Sequence, residues 1–326
     1  MAGTVRGYAL LLVLIAAAWG VEKFAIPWVN PYYTGIAVLS GIYMVAAAGL
    51  SLVLGFTGQF SLGHAGFMAV GGYTAAFLSS AYAVPPPVAL VAGAALAGVV
   101  GLLVGLPSLR LSGDYLAIVT LGFNGIIINV IENTDALGGA TGIIGLPQWT
   151  TFGWTATCLL LAIFSLSNLL NSTHGRLFCA ARDNEIALRS LGVDTTRVKV
   201  TAFVIGAVWA GVAGGLIAFL NASINPGYFA YDKSIEILAM VVLGGTGSLS
   251  GALLAGGVLT ALPEVLRLAT EGSGGGGLDL SKYRLSIYAF LLITMMILRP
   301  QGLLGTREVG DLLPAPLRRA LGRRAA

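Results

Sequence analysis

Stretches apolar enough to cross a lipid bilayer recur from residue 7 to residue 299, and this repetition decides the solvent before any motif is read. A helix needs about 20 largely apolar residues to span the hydrocarbon core. Ten such segments can be drawn, at 7–23, 33–54, 64–82, 88–106, 115–131, 153–172, 200–222, 234–247, 250–268 and 284–299. Charged residues make up 10% of the 326-residue chain and the mean hydropathy is +0.87, whereas soluble domains are about 25% charged. In lipid the backbone must satisfy its own polar groups, and runs of this length do so as helices. The expected fold class is all-α: a polytopic membrane protein of about ten transmembrane helices. One membrane domain covers residues 1–306 and a basic tail follows at 307–326, with no segment long enough for a separate soluble domain. The fifth segment, YLAIVTLGFNGIIINVI, and the eighth, SIEILAMVVLGG, are the weakest and are expected to be tilted or broken helices shielded by protein.

Orientation follows from the basic residues. The loop at 174–199 carries Arg176, Arg182, Arg189, Arg197 and Lys199 and is assigned to the cytoplasm. Alternation through ten spans then puts Arg6, Arg110, Arg299, Arg307 and the tail arginines on the same side, so that 13 of the 18 basic residues lie inside and both termini are cytoplasmic. The net charge of +4 comes from these scattered positions, a membrane pattern, and nucleic acid is not indicated as a partner. Arg6 and the apolar run from Tyr8 to Trp19 also have the outline of a signal peptide, while Glu22 and Lys23 fit a retained first span equally well. Cys158 and Cys179 lack metal-ligand spacing and are expected to be free thiols.

Enzyme chemistry finds no support in the motifs. No P-loop, HExxH, clustered His and Cys ligands or GxSxG elbow is present, so no catalytic residue, cofactor or metal site is expected. Ionisable residues within the spans, which mark ion or substrate routes by default, reduce to Glu236, Glu264 beside Pro263, and His64. For Glu236 the simpler reading is an interfacial carboxylate near Lys233, and for Glu264 a structural partner such as Arg267 or Arg284. On the fifth span Asn129 and Glu132 share a helix face while Asn124 lies well round from them.

Two stretches stand apart. GFTGQFSLGHAG, residues 55–66, puts Gln59, Ser61 and His64 among glycines between two apolar segments, and GGTGSLSGALLAGG at 244–257 echoes it faintly. A short cytoplasmic turn is one reading of 55–66. The other is a break in a membrane helix, which transporters tolerate beside a cavity. RDNEIALRSLG, residues 182–192, has Ile186, Leu188 and Leu191 apolar with Arg182, Asp183, Glu185 and Arg189 polar, and Gly192 as its stop. Such a short amphipathic helix docks on a partner or lies in the lipid interface, and the pattern alone leaves both open.

The blocks GFTGQFSLGHAGFMAVGGYTAA, GLPSLRLSGDYLAIVTLGF, GRLFCAARDNEIALRSLGVDTTRVKVTAFVIGAVWAGVAGGL, SIEILAMVVLGGTGSLSGALLAG and LRPQGLLG together resemble the permease subunits of branched-chain amino acid ABC transporters. The resemblance runs in order over nearly the whole chain, and its wording is closer to the M-type permease than to the H-type. It implies a multi-pass subunit of a bacterial or archaeal cell (inner) membrane, in contact with membrane lipid. It further implies a second, H-type permease, two cytoplasmic ABC ATPases and an extracytoplasmic substrate-binding protein. It implies an ATPase-coupling helix formed by Arg182, Asp183, Glu185, Ile186, Ala187, Leu188, Arg189 and Gly192, with Ile186 and Leu188 as anchors. The importer EAA…G pattern is met inexactly, since Ile186 takes its second position and Gly192 falls one place late. With the resemblance, 55–66 is expected to be a helix break in the translocation path. Candidate path residues are Gly58, Gln59, Ser61, Gly63, His64, Asn124, Gly245 and Gly247. Leucine, isoleucine and valine are the implied substrates; urea, short amides and other amino acids are carried by relatives of the same family. A stand-alone channel or secondary carrier is the rival class, and it has no need of the basic amphipathic loop at 174–199.

Overall fold

The computed structural model describes residues 2–108 and 113–271, with isolated positions between 286 and 305. Its helices are α1 (Ala2–Phe24), α2 (Pro31–Ser51), α3 (His64–Tyr82), α4 (Pro86–Ser108), α5 (Asp114–Glu132), α6 (Phe152–Leu170), α7 (Thr173–Asp183), α8 (Glu185–Ser190), α9 (Thr195–Asn221), α10 (Tyr231–Gly244) and α11 (Leu249–Glu271). A π-turn, Leu52–Phe56, continues α2. Local chemistry sets many boundaries. Asn30 caps α2 by accepting from Tyr32 N with Pro31 at the first helical position, Ser172 caps α7 and Asp194 caps α9.

Among the described residues, six helical stretches are long and apolar enough to cross a membrane: Tyr8–Trp28, Pro31–Phe56, Pro86–Ser108, Tyr115–Glu132, Phe152–Leu170 and Thr195–Asn221. This is a multi-pass membrane protein. The segments expected at 64–82, 234–247 and 250–268 fall on α3, α10 and α11, which do not meet that measure, and 284–299 lies almost wholly outside the described residues. α10 has 14 residues, about 21 Å of rise, against a hydrocarbon core of about 30 Å. The eighth segment is expected to be shielded by protein, and α10 is largely buried against α2, α3 and α11. Of the two forms expected for the fifth, a break is not seen: α5 runs unbroken through Gly122 and Gly125.

α9 is the central helix, with α2, α3 and α4 packed along it. The approach is close enough to require glycine: a Cβ on Gly71 of α3 would lie 2.3 Å from the Cα of Gly211 on α9, and one on Gly93 of α4 would lie 2.3 Å from Gly71 O. Dispersion between closely packed backbones replaces the hydrophobic drive that is missing in lipid. α1 lies against α6, where Trp19 donates to Thr157 and Glu22 accepts Gly153 N–H at 2.6 Å. The loops after α5 and α9 meet as a small antiparallel ribbon, Ile143–Ile144 on Ser223–Ile224. Cys158 on α6 and Cys179 on α7 are free thiols.

Candidate functional site

Thr57 to Gly63 carry the chain from the π-turn to α3; Thr57, Gln59, Ser61 and Gly63 are buried, Phe60 and Leu62 partly buried and Gly58 exposed. His64, the first residue of α3, places Nε2 3.0 Å from Ala46 O on α2. α2 and its π-turn extend ten residues past Ala46 to Phe56, about 15 Å of helix rise. The link therefore runs back alongside α2, and α3 begins beside the middle of that helix. Three backbone donors here find side-chain oxygens, two of them on other helices: Leu62 N donates to Thr120 Oγ1 at 3.0 Å, Gly63 N to Ser61 Oγ at 3.4 Å and Ala65 N to Ser234 Oγ at 3.0 Å. Gln59 donates through Nε2 to Thr57 Oγ1 (2.7 Å) and to Lys199 O (3.2 Å). Gln59, Ser61, His64 and Asn124 are all buried. Gln59 Oε1 and Asn124 Oδ1 have no hydrogen-bond partner among the described residues, and Asn124 Oδ1 lies against Gly66. Gly63 cannot take a side chain, because its Cβ would stand 2.8 Å from Thr120 O.

A second break joins α10 to α11 at 245–248. Gly245 and Gly247 adopt φ of 120° and 108°, and Ser248 Oγ accepts Gly251 N–H at 3.0 Å. The two breaks touch: a Cβ on Gly55 would be 2.8 Å from Gly247 N. At the other end of α10, Lys233 Nζ pairs with Glu236 Oε2 at 2.7 Å and stands 5.3 Å from the centroid of the Tyr43 ring. The expected Lys233–Glu236 pair forms, and Glu236 is buried where α10 packs against α2, α3 and α11. Glu264 follows Pro263 within α11; Arg267 and Arg284, its expected partners, have no described side chains.

The segment expected to be one helix over 182–192 is divided. Arg182 and Asp183 end α7, and Asn184, with φ −156° and ψ 96°, separates them from α8. Its side chain accepts Ala187 N–H at 3.0 Å, so one short asparagine closes one helix and caps the next. Gly192, at φ +81°, lies just past the end of α8. The expected anchor pair also divides. Ile186 is 79% exposed and Leu191 80%, whereas Leu188 is 5% exposed and packs with Phe178, Ala181 and Val198. Leu188 therefore holds α8 to the bundle, and the outward apolar pair is Ile186 and Leu191.

Glu185 also turns inward. Its carboxylate takes Lys199 Nζ at 2.5 Å, Arg189 Nη2 at 2.7 Å and Thr195 Oγ1 at 3.0 Å. Burial works to raise the Glu185 carboxyl, but hydrogen bonds from Lys199 and Thr195 and the charges of Lys199 and Arg189 outweigh it and hold it below the usual carboxylate range. Lys199 thus touches the loop through its ammonium and the break through its carbonyl. Arg182 bridges the same gap, with Nε 3.0 Å from Asp183 Oδ1 and Nη1 2.9 Å from Gly55 O. Between loop and break lies a polar cavity of about 220 Å³ bordered by Thr57, Gln59, Arg182, Glu185 and Lys199. Nothing in this arrangement suits catalysis, and among the described residues no three His, Cys, Asp or Glu side chains come together as a metal site. Two breaks in the helical path thus meet beside a loop with an exposed apolar surface.

The model of one protein family, described as branched-chain amino acid transport system / permease component, matches residues 32–298. The chain belongs to this family of permease components. Among curated relatives of the permease, the high-affinity branched-chain amino acid transport system permease protein LivM of Escherichia coli (strain K12) is 35% identical over 91% of this chain and 74% of its own. The probable LivM of Methanocaldococcus jannaschii is 25% identical over 82% of this chain and 92% of its own. LivH of Escherichia coli (strain K12) is 32% identical over 48% of this chain and 47% of its own. No solved structure matches the permease.

Several residues of this permease's site were not singled out in the sequence. Thr120 and Ser234 cap the start of α3 from other helices, Gly55 accepts Arg182 and abuts Gly247, and Lys199 ties Glu185 to Gln59. Only Lys199 left a trace beforehand, as one of the basic residues of the 174–199 loop.

Proposed function

We infer that this chain is the M-type permease subunit of an ABC importer for branched-chain amino acids, paired with an H-type permease. The complex includes two cytoplasmic ATPases, one of which receives the 182–192 segment of this chain in a groove, and an extracytoplasmic binding protein that delivers substrate to the opposite mouth. The setting is a bacterial or archaeal cell membrane, crossed by about ten spans with both termini on the cytoplasmic side. The observation that carries the reading is the two-sided character of α8. Its outward face offers Ile186 and Leu191 to solvent, and its inward face is tied through Glu185 and Lys199 to the break.

In this reading closure of the ATPase pair shifts α7 and α8 as a unit, and the break converts the shift into alternating access. The exposed apolar pair supplies docking contact, with the surrounding charges setting register. Gly58, Gln59, Ser61, Gly63, His64, Asn124, Gly245 and Gly247 line or support the passage. An aliphatic amino acid needs an apolar wall and a few dipoles for its charged head, which backbone amides, Gln59 Oε1 and Asn124 Oδ1 provide without fixed opposite charge.

The test is ATP-dependent uptake of labelled leucine by the assembled transporter in proteoliposomes. Ile186→Asp with Leu191→Asp should abolish uptake and release the ATPases while leaving the permease folded. Unchanged uptake would contradict the docking assignment. Binding of leucine, isoleucine, valine and urea to the partner binding protein fixes the substrate.

A further inference from the structure

We propose that Arg182 is the positioning residue that carries movement of the docked segment into the membrane break, by holding the Gly55 carbonyl. The inference rests on the docking reading above and names the atom through which the break is gripped. In a continuing α-helix the N–H of residue 59 would serve Gly55 O. Here Gly58 N keeps the ordinary helical bond to Leu54 O at 3.1 Å, but Gln59 N reaches past Gly55 to Val53 O at 3.0 Å, so the donor that Gly55 O would have is taken elsewhere. Gly55 is buried, and a buried carbonyl needs a donor. Arg182 Nη1 supplies it at 2.9 Å, from a residue 127 positions away.

Arg182 is built to act as a strut. Its Nε is held at 3.0 Å by Asp183, which fixes the plane of the guanidinium, and a planar fork can grip two acceptors at a set angle. Its stem lies on Gly58, where a Cβ would stand 3.0 Å from Arg182 Cγ and where φ is +68°. The far end of the strut meets Gly55 at the point where Gly55 abuts Gly247. A displacement of α7 therefore reaches both breaks through one contact. The Glu185–Lys199 pair does a different job, since it binds α8 to α9 and not to the π-turn.

The experiment measures ATP hydrolysed and labelled leucine imported on the same preparation of assembled transporter. Arg182→Met keeps most of the apolar stem and removes both donors. The expected result is about tenfold more ATP hydrolysed per leucine imported, within the usual range of coupling between linked sites. Arg182→Lys, which keeps the charge on a single ammonium, should recover part of that ratio. An unaltered ratio in Arg182→Met overturns the proposal. If the Met variant does not assemble, an unaltered ratio in Arg182→Lys overturns it alone. Failure of the docking reading is separable: in that case Ile186→Asp with Leu191→Asp retains its ATPases, whereas failure of the strut alone leaves that variant stripped of them.

Discussion

Glycine does opposite work in two parts of this bundle. Where α3, α4 and α9 cross, Gly71, Gly93 and Gly211 are ordinary helical residues whose missing side chains let backbones meet. At the breaks, Gly58, Gly245 and Gly247 sit at positive φ and release the chain from helical geometry. The first group removes freedom by close packing and the second creates it. A transporter that must convert a push into a change of access needs both, a block that stays whole and a joint that yields.

Substitutions can break this comparison. Gly71→Ala should have the largest effect, since its Cβ would meet the α9 backbone at 2.3 Å and overpacking costs about 1–3 kcal/mol or more where no side chain can move away. Loss of folded permease, read as yield and thermal midpoint in detergent, is the expected outcome. Next comes the paired change Ile186→Asp and Leu191→Asp. Exposed substitutions of this kind alter stability by about 0.5 kcal/mol or less, yet ATPase retention on purification should fall at least about tenfold if the pair is the core of docking. Gly58→Ala comes third. Its left-handed backbone costs roughly 1–2 kcal/mol for a residue with a Cβ, and the new methyl presses on Arg182, so leucine uptake should fall further than the thermal midpoint does. Equal thermal loss in Gly58→Ala and Gly71→Ala would erase the distinction between joint and block.

The smallest effect concerns pH. Because the Glu185 carboxyl is held below its ordinary value of 4.5, its contribution to loop stability is complete above that value and is lost as pH falls below it through the lowered one. Protection of 185–199 amides from hydrogen exchange should therefore hold from neutral pH down to the ordinary carboxylate range and weaken beneath it. Glu185→Gln should show weaker protection throughout and lose the acid step.

Six of the ten expected spans could be read from the sequence because length and hydrophobicity act along the chain. The break at 55–66 was visible for the same reason: polar groups and glycines interrupt an apolar run. What stayed hidden depends on contacts between distant positions. Gly55 looks like any small residue until the π-turn removes its donor and Arg182 replaces it. The inward turn of Leu188 against the outward turn of Ile186 could not be decided from two apolar letters, since it is Asn184 that sets the phase of α8. Thr120 and Ser234 read as ordinary hydroxyls on apolar helices and become caps only when α3 starts beside them.

The central claim is that the break opens and closes with the docked loop, and thiol accessibility tests it directly. With Cys158 and Cys179 replaced by Ala, Leu62→Cys places a thiol inside the break of the assembled transporter. Its alkylation rate with a small water-soluble reagent is then measured with and without ATP. The account predicts a several-fold change in rate on adding ATP, lost when Arg182→Met is introduced. A rate at residue 62 that is the same with and without ATP would contradict it.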